Sequence, residues 1–102
     1  MRRLRLSRTF FDQLHTLLEQ GYPKFGERVV LEKRERVFHL IENHLAHYPR
    51  IPRDPLHGLC VYPVRKTPFV VVYDYDDEEL RILFVFHEHD DYSNLDPNEV
   101  EW

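Results

Sequence analysis

The chain lacks a second cysteine. Cys60 is the single thiol among 102 residues, which excludes an intramolecular disulfide and fits a reducing compartment. Cys60 lies inside an apolar run, so a packed, inert thiol is expected. Long apolar stretches are missing too: none approaches the roughly 20 residues of a membrane span. Met1-Arg2-Arg3 is basic, but no apolar segment of the signal-peptide kind follows it. A cytoplasmic location is therefore expected. A positive net charge is also absent. The formal value is −4 with seven histidines counted as neutral, which argues against binding nucleic acid through overall charge. No Gly-rich phosphate loop, nucleophile elbow or Cys-based zinc motif occurs. No repeat or low-complexity segment is visible.

What is present is centred on Leu59 to His89. Leu59–Tyr62, Phe69–Tyr73 and Arg81–Phe86 read as three strands rich in β-branched and aromatic residues. Arg65–Pro68 and Asp76–Glu79 have the length and polarity of hairpin connections. The last two strands are apolar at successive positions, which implies burial on both faces and a cover from elsewhere in the chain. The first half supplies candidates. Arg2–Leu6 alternates polar and apolar, the period of a short strand with one buried face. Ser7 or Thr9 can cap the helix that follows. Phe10, Phe11, Leu14, Leu17 and Leu18 form one helical face, with Gly21 as the expected stop and Tyr22–Gly26 as connector. Val30, Val37, Phe38, Ile41, Leu45 and Tyr48 predict a second helix from about Glu27 to about His47. Pro49 and Pro52 end it. Tyr48–His57 reads as an extended loop, and Asp96–Glu99 as a turn or one helical turn. The fold class is α+β over a single domain, residues 1–102. Its order is β-α-α-β-β-β: an N-terminal strand, then an α-helical hairpin packed on a small curved antiparallel sheet.

Four side-chain groups bear on chemistry. His87 and His89 are two apart on a strand and so share a face, with Glu88, Asp90 and Asp91 beside them. Such a group suits metal binding or acid–base work, but the spacing is unspecific and a solvated strand end is the plainer reading. Arg65, Lys66 and Arg81 are cations for a phosphodiester if they converge near His87; charged hairpin turns are the plainer reading. His44 and His47, with His39 nearby, lack a His-Glu-x-x-His context and read as helix surface. Arg2, Arg3, Arg5, Arg8, Arg50 and Arg53 form a basic rim if the first strand lies beside the Pro-rich loop, a surface for an acidic partner.

The run Val61–Tyr75, followed by Ile82–His87, resembles the RelE/ParE superfamily of toxins from bacterial type II toxin–antitoxin systems. It has that family's strand, Pro-aromatic step into an apolar strand ending in Tyr, acidic turn, and apolar strand ending in His. The Thr67-Pro68-Phe69 step is closer to the ParE branch. The resemblance implies a growth-inhibiting toxin of the plasmid-stabilisation type, neutralised by a cognate antitoxin. That antitoxin would dock in the apolar groove or on a sheet edge, with Arg2, Arg3, Arg5, Arg50 and Arg53 contributing. ParE-like members target DNA gyrase. RelE-like members are ribosome-dependent mRNA endonucleases, whose site would fall on Arg65, Lys66, Arg81, His87 and Tyr92. Glu88, Asp90 and Asp91 oppose phosphate binding there, so binding rather than catalysis is the leading expectation. The ribonuclease is the alternative, and a non-toxic protein-binding module the second. No cofactor, metal or membrane partner is expected.

Overall fold

The computed structural model describes residues 2–102. Strand β1, Arg3–Leu6, leads into helix α1, Arg8–Leu40, which passes into a π-helical turn at Ile41–Leu45. Strands β2 (Cys60–Pro63), β3 (Phe69–Tyr75) and β4 (Glu79–His87) follow, and a short 3₁₀ turn covers Pro97–Glu99. The class is α+β, as expected.

The expected Tyr22–Gly26 connector is not a loop: residues 21–25 are helical, and two helical limbs of α1 meet directly at Gly26. Gly21 does not end α1, and Pro23 lies inside it. The only break is Gly26, with φ 80° and ψ 168°, a region essentially restricted to glycine. A straight helix would carry Phe38 about 42 Å beyond Phe10. Their ring centroids are instead 6.1 Å apart, so the chain doubles back at Gly26. Gly21 lies where the two limbs approach: a Cβ there would meet Val30 Cγ2 at 3.2 Å. Its missing side chain thus serves packing rather than termination.

The sheet order is β1-β4-β3-β2. β2/β3 and β3/β4 are antiparallel, but β1 runs parallel to β4, from Arg3 beside Glu79 to Leu6 beside Ile82. The sheet is mixed, not antiparallel. Parallel pairing requires a long crossover, and the helical segment between β1 and β2 begins that excursion. A register shift in the β3/β4 ladder leaves Leu83 without a partner, since Val72 opposes Phe84 and Tyr73 opposes Ile82. This bulge breaks strict alternation, so Leu83 and Phe84 both join the cluster on the second face.

Each face has its own cover. α1 and the π-helical turn pack Phe10, Leu14, Val37, Ile41 and Leu45 against Cys60, Val71, Tyr73, Leu80, Ile82 and Val85. On the other face Val100 and Leu95 of the C-terminal tail pack with Leu59, Val72, Leu83 and Phe84. The polar composition of the tail hides this role. Its end is fastened to the start of α1: the Arg8 N–H donates to Glu101 O at 2.7 Å, and the Glu101 N–H to Thr9 Oγ1 at 2.9 Å. Tyr73 is buried and donates its hydroxyl to Pro49 O at 2.8 Å, anchoring the Pro-rich loop; burial pushes its phenol pKa up.

Ser7, not Thr9, is the N-cap, and its hydroxyl accepts from the Phe10 N–H at 2.8 Å while donating to Leu83 O at 2.6 Å. Ser7→Ala removes the cap and orphans a buried carbonyl. The expected loss is about 2 kcal/mol, read from urea denaturation. Gly26→Ala should cost about 1–3 kcal/mol because the new Cβ opposes the required backbone conformation. Unchanged denaturation midpoints in either variant would contradict these assignments.

Candidate functional site

The two ends of the β3/β4 pair have different chemistry. At the β3–β4 turn, Arg81 is held by Asp76 at 2.9 Å, Glu79 at 3.2 Å and Asp74 at 3.6 Å. Arg53 reaches in from the Pro-rich loop, donating to Asp74 Oδ1 at 2.6 Å and to Gly58 O at 3.1 Å. Tyr75 lies against two guanidinium groups, Arg2 at 5.4 Å and Arg53 at 5.1 Å from its ring centroid. Arg2 also donates to Asp76 O at 2.6 Å. Arg5 approaches Glu79 at 4.0 Å and lies over Trp102 at 4.4 Å. The first strand and the Pro-rich loop do bring Arg2, Arg5 and Arg53 to one end of the sheet. Arg53 is matched there by Asp74, and Arg5 lies beside Glu79. Arg3 and Arg50 are exposed.

The opposite end carries His87, paired in register with Phe69. Arg65 and Lys66 lie at the same end of the sheet, in the turn between β2 and β3 where Lys66 takes φ 60°, but neither lines the groove that holds His87. Arg81 does not join them: it lies six positions before His87 on β4, about 20 Å of strand. Tyr92 is also apart. It stacks on Phe86 at 5.9 Å, and Phe86 belongs to the cluster on the second face. His87 instead lines a groove of about 330 Å³ with Lys24, Phe25, Lys33 and Phe69, on the α1 side. Two lysines of α1 thus share this groove with His87, a connection that strand periodicity does not reveal. His87 Nδ1 accepts from the His89 N–H at 3.2 Å, and the two rings are 5.3 Å apart. Among the described residues, no three His, Cys, Asp or Glu side chains are gathered to hold a metal ion.

A third feature escaped sequence reasoning. A groove of about 570 Å³ runs between α1 and edge strand β2, lined in part by Arg36, His39, His44, Tyr62 and Arg65. The π-helical turn carries His44 to 3.4 Å from the Tyr62 hydroxyl. π-helical turns occur frequently at functional sites, but His44 and His47 spacing carries no sign of one. Among the described residues no helix is long and apolar enough to cross a membrane.

The Arg81 network predicts an acid response. The Arg81 guanidinium, with the Glu78 and Glu79 N–H groups, lowers the Asp76 carboxyl to about 2. At Asp74 burial opposes ionisation, but hydrogen bonds from Arg53 and the Tyr75 N–H outweigh it, so that carboxyl is also lowered. A depressed folded-state pKa contributes stability that is complete above the unfolded value of about 3.9 and is lost on descent through the folded value. Asp76→Asn should therefore melt below wild type at neutral pH. The gap should narrow from about pH 4 and close only below about pH 2. Parallel thermal melts followed by circular dichroism read this directly; a gap independent of pH would contradict it.

No protein-family model matches the chain, and no curated protein matches it by sequence. The likeness to solved structures is one of fold. A chain of the structure described as "Chromosomal ParDE TA system from P. aeruginosa" superposes with a TM-score of 0.74 at 16% identity, covering 85% of this chain and 96% of that one. The chain thus shares its fold with a chain of that structure.

Proposed function

We propose that residues 1–102 form a single toxin domain of a type II toxin–antitoxin system, ParE-like, acting in the cytoplasm by binding its target. The observation that carries this reading is the fold shared with a ParDE component over most of both chains. In this reading a cognate antitoxin neutralises the toxin, and DNA gyrase is the first target to test. The scattered catalytic roster favours binding over catalysis. Arg81 is occupied by its own carboxylates, and Tyr92 stacks on the second face while His87 faces α1. A ribosome-dependent nuclease would need cations, an acid and a base around one phosphate.

Expression alone should arrest growth, and co-expression of the adjacent open reading frame should relieve the arrest. Labelled thymidine, uridine and methionine uptake then separates a gyrase target, whose first effect is on DNA synthesis, from a ribosomal one. His87→Ala and Lys66→Ala should keep toxicity within about twofold of wild type, because neither belongs to an assembled catalytic centre. Message cleavage during translation in vitro that disappears in both variants would replace this mechanism with the ribonuclease.

A further inference from the structure

The acidic segment after β4 has a use that the toxin reading does not supply. Asp54 of the Pro-rich loop and Glu88, Asp90 and Asp91 after β4 surround a cavity of about 200 Å³, with Tyr92 in its wall. Elsewhere Asp74, Asp76 and Glu79 are matched by arginines. Here, among the described residues, no lysine or arginine pairs with a carboxylate, and the nearby basic groups are histidines, His57 Nε2 at 3.9 Å from Asp54 and His89 Nε2 at 3.6 Å from Glu88. Four carboxylates around one opening without a lysine or arginine repel one another at short range.

A second observation comes from His57, which also lines the cavity. Its side chain is 3% exposed, and its Nε2 has no hydrogen-bond partner. The Leu59 N–H points at His57 Nδ1 from 3.3 Å, so Nδ1 is an acceptor. In the neutral ring the proton must then sit on Nε2. A buried donor left unmatched calls for an acceptor brought by something else. That tautomer is also the wrong one for a metal, because a ligating Nε2 must be free of its proton.

We propose that this cavity receives a basic side chain, preferably the guanidinium of an arginine, from a protein partner. The four carboxylates supply the charge, and the planar fork of arginine can address two of them at once. Tyr92, backed by Phe86 at 5.9 Å, offers an aromatic wall to the cation. Leu56, 70% exposed and also in the cavity lining, gives the partner an apolar contact beside it. A main-chain carbonyl next to the arginine is the acceptor suited to the His57 Nε2–H. The inference stands independently of the toxin reading, since it rests on carboxylates and His57 and not on the lysines of the His87 groove, with which it shares Glu88 as a border.

The test is an amide-resolved NMR titration of the full chain with N-acetyl-L-arginine methylamide, using the uncharged citrulline analogue as control. Saturable shifts confined to 54–58 and 87–93 are expected, with none from the analogue. Asp90→Asn/Asp91→Asn removes charge but keeps oxygen acceptors, so it should preserve the spectrum of the fold. It should weaken binding at least about fivefold, and added salt should weaken wild-type binding. Shifts spread evenly over Asp12, Glu19 and Asp77, or equal affinity in the double variant, would overturn the proposal. So would tight Zn²⁺ binding at the same amides with loss of the His57 Nε2 proton.

Discussion

One buried hydroxyl joins the three elements on which the fold depends. Ser7 is completely buried. Its N–H bonds Ile82 O at 3.0 Å, its Oγ donates to Leu83 O, and the same oxygen receives the Phe10 N–H. The end of β1, the start of α1 and the irregular middle of β4 are therefore fastened at one point. A buried polar group is tolerated only when its hydrogen bonds are made, and this one makes them with backbone. β1 runs parallel to β4 and ends where Ser7 meets Ile82 and Leu83.

The same point governs the two faces of the sheet. Leu83 has no partner in β3, and its carbonyl is free for Ser7 because the ladder is interrupted there. Nearby, Gln13 Oε1 of α1 accepts the Val85 N–H at 3.0 Å, another ladder group met by a side chain. The extra residue turns Leu83 and Phe84 toward the same side, enlarging an apolar second face that α1 cannot reach. The tail closes it with Leu95 and Val100, and Glu101 returns to the first turn of α1. The helix start thus holds both covers.

Charge is divided along the same sheet. At the β3–β4 turn arginines and carboxylates satisfy one another, an arrangement that serves structure and leaves little of Arg81 or Arg53 for a ligand. Beyond His87 the two sides differ: lysines of α1 face the groove on one, and carboxylates surround the small cavity on the other. Glu88 borders both. A chain with net charge −4 can therefore present local surfaces of either sign, and this is where binding partners would discriminate.

The sequence by itself determined the strands, the turns between them, the helical character of the first half and the α+β class, because periodicity and turn chemistry are local. It also carried the resemblance on Val61–His87. It misled at Gly21, since a glycine reads as a helix end while its packing role depends on Val30, which only the folded chain brings near. Strand direction, the bulge at Leu83 and the π-helical turn depend on non-local hydrogen bonds that no spacing encodes. Val100 was hidden because one apolar residue among acidic ones has no period. The candidate site divided in the same way. The residue types at His87, Arg81 and Tyr92 were legible, but their separation was not, because distance along a strand and the face on which a loop returns are properties of tertiary structure.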